Sequence, residues 1–243
     1  MDKIAVISDV HGNMPALEAV AKDLEQRGIR EVICLGDLVG KGPDSDKSVD
    51  RIRLLCQTVI RGNWDDFIPN PTDNDTLEWH RRKLGVERMD YLKSLPFSVE
   101  FHMSGRLIRL FHASPRSVYE RIQPWDSMEA RLSLFDSSPL TSSGHPADVA
   151  GYGDIHNAYL QHVGGKTLFN TGSVGNPLEI PQASYAILEG MHGSDSPAPF
   201  NIQLIRVPYD NERAVQDAVD ANMPDLDNYI REIRTARYRG LKD

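Results

Sequence analysis

Two cysteines are all that 243 residues contain, Cys34 in an apolar strand pattern and Cys56 in an amphipathic stretch, so a disulfide framework is excluded. Both read as buried free thiols, as suits a reducing cytoplasm. Long hydrophobic runs are also missing. The apolar run at residues 4–7 is too short for a signal sequence or a membrane span, so we expect a cytoplasmic protein that does not engage a membrane. Positive charge is not in excess: 27 Lys and Arg stand against 35 Asp and Glu, a net charge of −8. A basic face for long nucleic acid is therefore not expected. A small anionic substrate remains compatible, because bound cations would reverse the sign locally. Internal repeats and low-complexity tracts are absent too, and the length suits one large α/β domain over residues 1–243.

What is present is an alternation of short β-branched runs with helical patterns. Residues 4–7 read as a strand buried on both faces, and residues 14–27 carry Leu17, Val20, Ala21 and Leu24 at helical spacing between Pro15 and Gly28. Residues 32–35 form the next strand, and this start predicts a parallel pair joined by a crossover helix. Further expectations are a helix over 46–56, a strand over 57–61, a loop over 66–75 and a helix over 76–94. A hairpin of 97–103 with 107–112 turns at Ser104-Gly105. Strands follow at 149–151, 159–163, 167–170, 185–188 and 201–206, then a charged packing helix over 211–237. Between 114 and 146 the pattern weakens around a helical patch near 128–135, and this stretch reads as a lid or specificity region.

Metal-binding residue types collect where these strands give way to loops: Asp9-Val10-His11, Gly36-Asp37, Gly62-Asn63, His112 and Asp154-Ile155-His156. Taken singly, an Asp at a strand end is most often a cap or turn residue, and His80, His102, His162 and His192 read as structural. The combination carries the argument. One-residue spacing lets Asp9 and His11 address one ion and lets Asp154 and His156 address different ions. Asp37 offers a carboxylate that can bridge two cations, Asn63 a carbonyl oxygen and His112 an imidazole. Two divalent cations held this way can clamp a phosphoryl oxygen and activate a bridging hydroxide.

These residues resemble the calcineurin-like metallophosphoesterase superfamily, whose five blocks are D-x-H, G-D, G-N-H-[DE], H and G-H-x-H. Here they read Asp9-Val10-His11, Gly36-Asp37, Gly62-Asn63-Trp64-Asp65, His112 and Gly153-Asp154-Ile155-His156, in that order along residues 4–180. The surroundings of Asp9 and Asp37, and Asn170-Thr171-Gly172-Ser173-Val174-Gly175-Asn176-Pro177, are similar to the small prokaryotic phosphodiesterases and diadenosine tetraphosphate hydrolases. The resemblance implies a four-layer sandwich of two mixed β-sheets flanked by helices. It implies one metal on Asp9, His11, Asp37 and His156, and a second on Asp37, Asn63, His112 and the position of Asp154. Asp37, Asn63 and His112 would be central to catalysis.

Two departures alter that chemistry. Trp64 replaces the family histidine that protonates the leaving group, and an indole cannot do so. Either the leaving group is a good one, such as a nucleotide phosphate, or another residue such as His145 takes over. Trp64 stacking on a nucleobase and Arg116 in an anion pocket complete the candidate substrate contacts. Asp154 stands where the family has histidine, which makes the second site harder and favours Mn²⁺ or Fe, with Mg²⁺, Zn²⁺ and Ni²⁺ as further candidates. The expected function is hydrolysis of phosphodiesters or phosphoanhydrides of nucleotide type, such as dinucleoside polyphosphates. The alternative is a degenerate, non-catalytic nucleotide- or protein-binding member of the fold.

Overall fold

A computed structural model describes residues 1–241. Its first strand shows how the chain builds two cores from one run. In β1 (Asp2–Ile7) the pleat sends Ile4 and Val6 to one face and Ala5 and Ile7 to the other, and all four are buried. Helix α1 (Met14–Gln26) is capped by Asn13, whose side chain accepts from the Ala16 N–H, and returns the chain to β2 (Glu31–Cys34), which pairs parallel with β1. Helix α2 (Ser45–Leu55) leads to β3 (Thr58–Val59), parallel to β2. This strand is shorter than its sequence pattern because the Gln57 side chain takes the Val32 N–H while the Arg61 N–H turns away to Pro96 O.

Helices α3 (Asn63–Phe67) and α4 (Asp75–Ser94) follow, then the hairpin β4 (Ser98–Met103) and β5 (Arg106–Phe111). A short α5 (Met128–Leu132) precedes β6 (Val149–Tyr152), β7 (Tyr159–Val163), β8 (Lys166–Asn170), β9 (Ala183–Gly190) and β10 (Asn201–Val207). One sheet runs β10-β9-β1-β2-β3 and the other β4-β5-β6-β8-β7, each mixing parallel and antiparallel pairs. The sheets meet through Ile4, Val6, Ile33, Leu35, Ile108, Leu110, Val149 and Phe169. The outer face of the first sheet packs Ala5, Ile7 and Cys34 against Leu17, Val20, Val49 and Leu84 of the helices. The outer face of the second packs Ala150, Tyr152 and Leu168 against Ile122, Leu134 and Phe135. The result is the four-layer α/β sandwich expected from the sequence.

Two helices differ from the sequence expectation. The helix over 76–94 is broken at Gly85, which has φ 68° and ψ 174°. The helix over 211–237 is two helices, α6 (Asn211–Asp220) and α7 (Leu226–Thr235). Pro224 lacks an N–H to continue the ladder, and Asn222 and Asp225 take left-handed conformations beside it. The pair closes on Ala214, Val215, Ala218, Tyr229 and Ile233. Among the described residues, no helix is long and apolar enough to cross a membrane.

The C-terminal turn is fastened by a buried charge. Glu232 accepts from Arg239 Nε at 2.9 Å, Arg239 Nη2 at 2.7 Å and Asn176 Nδ2 at 3.2 Å. Burial would raise its pKa, but Arg239 and Lys41 outweigh that and draw it from 4.5 down to about 2. A depressed carboxylate contributes stability above its unfolded value, and the contribution is lost as pH falls through about 2. That amounts to about 3 kcal/mol at neutral pH. Urea denaturation is expected to show Glu232→Gln less stable than wild type by about that amount at pH 6, with the gap closing towards pH 2. A gap that does not depend on pH would contradict the assignment.

Candidate metal centre

The centre lies where β1, β2, β5 and β6 end. Asp9, His11, Asp37, Asp154 and His156 all adopt positive φ, between 48° and 60°. For residues with a Cβ this costs about 1–2 kcal/mol each. Backbone bonds hold them there. The Asp9 N–H donates to Gly36 O at 2.9 Å, His11 to Asp37 O at 3.0 Å, Gly12 to Leu38 O at 3.1 Å and Gly175 to Asp9 O at 2.9 Å. The 170–177 segment, equally readable in the sequence as a structural turn, is therefore the brace under Asp9, with Ser173 Oγ also donating to Asp9 O at 2.7 Å.

The imidazoles identify what they face. His11 Nδ1 sits 3.0 Å from Val39 O, His112 Nδ1 2.8 Å from Leu35 O, and His156 Nδ1 2.5 Å from Asn176 O. A carbonyl can only accept, so each Nδ1 carries the proton, and each Nε2 turns inward. His11 Nε2 and His156 Nε2 are then 3.2 Å apart, an arrangement that favours a cation between their lone pairs. Asp9 Oδ1 lies 3.2 Å from His156 Nε2, yet it and His112 Nε2 have no hydrogen-bond partner of good geometry. Asp9, His11 and His156 form one donor group and Asp9, Asp37 and His112 another, all buried. Asp37 turns Oδ2 towards His11 Nε2 and Oδ1 towards His112 Nε2, each at 3.5 Å. This N and O donor set fits two adjacent divalent cations.

Charge within the cluster is unevenly placed. Burial, reinforced by Lys41, pushes His11 down to about 3, so it is neutral. Burial alone would also depress His112, but the carboxylates of Asp37, Asp9 and Asp154 overcome it and lift this histidine to about 9. A cation bound at His112 must therefore displace a proton. Titration calorimetry is expected to show affinity climbing about tenfold per pH unit until roughly pH 9, with proton release in buffers of different ionisation heat. Affinity that is flat with pH would contradict this.

Asp65 sets the position of Asp37. Buried at the start of α3, its carboxylate accepts from the N–H groups of Asp37 at 2.7 Å, Leu38 at 3.0 Å and Gly62 at 3.0 Å. The close approach requires Gly62, because a Cβ there would meet Asp37 Oδ1 at 2.2 Å and Asp37 N at 2.3 Å. Gly62→Ala is expected to lower metal affinity at least tenfold by calorimetry, and wild-type affinity would contradict this packing argument.

The remaining candidates divide. Asn63 reaches the cluster by donating from Nδ2 to Asp154 Oδ1 at 2.8 Å. Asp154 lies 3.9 Å from His112 Nε2, but Arg121 also holds it in a two-point ion pair, Nε and Nη2 each at 2.9 Å. That guanidinium offsets the negative charge a carboxylate brings here. Trp64 packs edge-on against His11 with ring centroids 5.8 Å apart, and also against Phe67, His80 and the backbone of Gly40. Its ring is held as a half-buried cover on the cluster.

His145 corrects the sequence reading: it lies in a different cleft with Glu100, His102 and Asp148. The buried Arg109 draws that loop away by binding the carbonyls of Phe135, Asp136, Ser143 and His145. The Arg116 guanidinium is bound by Glu120 and Ser133, and Arg116 does not line the cavity beside Asp154 and His156. Arg121, Lys41 and the C-terminal residues Tyr238 and Leu241 do border the cluster, on a cavity of about 410 Å³ beside Asp154 and His156. Tyr238 and Leu241 were hidden by their distance along the chain from the motif residues, and Lys41, close to Asp37, carried no signal of its own.

Comparison with known proteins agrees with this architecture. Residues 2–192 match the family described as the calcineurin-like phosphoesterase superfamily domain. The chain is 32% identical over 241 residues to the uncharacterized protein MJ0912 of Methanocaldococcus jannaschii, covering 91% of this chain and 94% of that one. It is 24% identical over 201 residues to phosphodiesterase YfcE of Escherichia coli strain K12, covering 78% and 88%. The solved metallophosphoesterase from Sphaerobacter thermophilus shares the fold with a TM-score of 0.75 at 24% identity, covering 96% of this chain and 99% of that one. The hypothetical protein PH1004 from Pyrococcus horikoshii OT3 does so at 0.76 and 20% identity, covering 98% and 100%.

Proposed function

The chain belongs to the calcineurin-like phosphoesterase superfamily and is a metal-dependent phosphoesterase, and from that premise we propose that it cleaves phosphodiester or phosphoanhydride bonds of small nucleotide-type substrates such as dinucleoside polyphosphates. The observation that carries the nucleotide reading is Trp64. It stands where a protonating histidine would assist the leaving group, and it packs against His11 as a cover. A nucleoside phosphate leaves as a stabilised anion and needs little protonation. In the same reading the protein is one cytoplasmic domain over 1–243, with the 114–146 region forming a wall beside substrate.

Asp9, His11, Asp37 and His156 would hold one ion, and Asp37, Asn63, His112 and Asp154 the other. When bound, two divalent ions supply Lewis-acid stabilisation of the phosphoryl oxygens and lower the pKa of attacking water. The chain's own work is placement. Asp65 fixes the Asp37 loop through three N–H groups, and the carbonyls of Val39, Leu35 and Asn176 orient the three imidazoles. Trp64 keeps bulk water off His11.

Carboxylate at position 154 favours Mn²⁺ or Fe over softer ions. Asp154→His is expected to weaken Mn²⁺ activation and raise Zn²⁺ affinity. Unchanged Zn²⁺ affinity by calorimetry would remove the hardness argument. The function itself is tested on metal-free protein reloaded with Mn²⁺, Zn²⁺ or Mg²⁺, assayed on bis-p-nitrophenyl phosphate and diadenosine tetraphosphate. Mn²⁺-dependent cleavage of the dinucleotide is the expected result. Turnover of the aryl diester alone would remove the nucleotide reading. No turnover despite bound metal would favour the non-catalytic alternative.

A further inference from the structure

We infer that the cavity beside Asp154 and His156 is a nucleoside-phosphate subsite, in which Trp125 and Tyr238 sandwich or flank the base and Arg121 and Lys41 take the non-scissile phosphate. The inference rests on the nucleotide reading above and names the residues that select for it.

Two observations meet in this cavity. The first is its pair of cations. The Arg121 guanidinium is aimed by its two-point pair with Asp154, yet its side chain keeps half its surface open to solvent. Lys41 lines the same cavity, its Nζ donating to Asn176 Oδ1 at 2.9 Å, with Asn176 in turn donating to the buried Glu232. Both cations are tied at one end by groups that position them, which suits recognition of an anion next to the cluster. In a chain of net charge −8 such a placement is local and specific.

The second is a pair of exposed aromatic rings on the same walls. Trp125 is 72% exposed and Tyr238 45%. A single exposed ring needs no explanation, but two on one cavity of about 410 Å³ lie within the size range of small-molecule sites. Neither ring rides on loose chain. Residues 121–126 are anchored by the buried Ile122, whose carbonyl accepts from Tyr152 Oη at 2.7 Å, and by the Gln123 N–H on Asp126 at 2.7 Å. Tyr238 adjoins Arg239, which Glu232 locks in place. Aromatic rings on anchored backbone beside tethered cations are what a base and its phosphate require. A lipid or peptide would call for a continuous apolar groove instead.

The segment 236–241 is thereby part of the substrate site. Calorimetry with AMP, adenosine and inorganic phosphate on the purified Mn²⁺-loaded protein tests this directly. Trp125→Ala and Tyr238→Ala, both exposed and so compatible with folding, are expected to weaken AMP and adenosine binding about tenfold each, and Trp125→Phe to restore most of it. Arg121→Ala is expected to weaken AMP about tenfold and to leave adenosine near wild type. Wild-type protein that binds neither AMP nor adenosine, or aromatic variants that bind AMP as wild type does, would overturn the inference. Turnover of bis-p-nitrophenyl phosphate by the Mn²⁺-loaded wild type reads the hydrolytic activity separately. AMP binding without such turnover would keep the subsite and remove the hydrolytic reading, and turnover without AMP binding would do the reverse.

Discussion

Asp37→Asn is expected to lower kcat/KM on bis-p-nitrophenyl phosphate by about 10³-fold or more, the largest loss from any single residue of the centre. Asparagine is the informative replacement because it tolerates the left-handed backbone at position 37, where φ is 54°, and keeps the side-chain shape. What it removes is one negative charge facing both histidines, His11 and His112, at 3.5 Å each. Removing a carboxylate between two cations costs several kcal/mol of charge stabilisation, and each 1.4 kcal/mol is about a factor of ten. Metal content measured by mass spectrometry should fall together with activity. Loss of less than about tenfold with full metal content would show that Asp37 is not shared between two ions.

Asp65→Ala is expected to cost about 4 kcal/mol of unfolding free energy, although Asp65 lies outside the expected ligand set. Its carboxylate serves three backbone N–H groups at 2.7–3.0 Å and is fully buried, so alanine leaves all three unsatisfied in a site with no solvent access. Each orphaned donor costs about 1–3 kcal/mol, and local relaxation recovers some of the sum. Asp65→Asn should fall between alanine and wild type, because its amide retains one acceptor but points an NH₂ group at donors. Urea denaturation at neutral pH gives the value directly. A change below 1 kcal/mol would mean that water or other groups replace the carboxylate.

The candidate donors were legible because Asp9 with His11 and Asp154 with His156 are one residue apart and Asp37 follows a strand. Strand patterning put each donor at a strand end, and the resemblance to the family brought the blocks to one site, where β1 and β2 of one sheet and β5 and β6 of the other finish. Partners joined only by the fold were not legible. Arg121 and Asp154 are 33 residues apart, Asn176 and Glu232 56 apart, and no periodicity links either pair. His145 shows the opposite error. It falls in the 114–146 stretch read as a lid or specificity region, but Arg109 ties its loop into a different cleft. The helix breaks had signals that were available: Gly85 sits inside a helical pattern, and Pro224 with Asn222 interrupts another.

The left-handed residues have a consequence for how ions come and go. The carbonyls of Gly36, Asp37 and Leu38 accept from the N–H groups of Asp9, His11 and Gly12, and the Gly175 N–H donates to Asp9 O, so backbone bonds hold this loop. The donors are thus preorganised, and chelation need not drive folding of the loops. A chelator should strip the ions while amide exchange at His11 and Gly12 stays slow. Replacement of one cation by another is then expected to be faster than exchange of those amides.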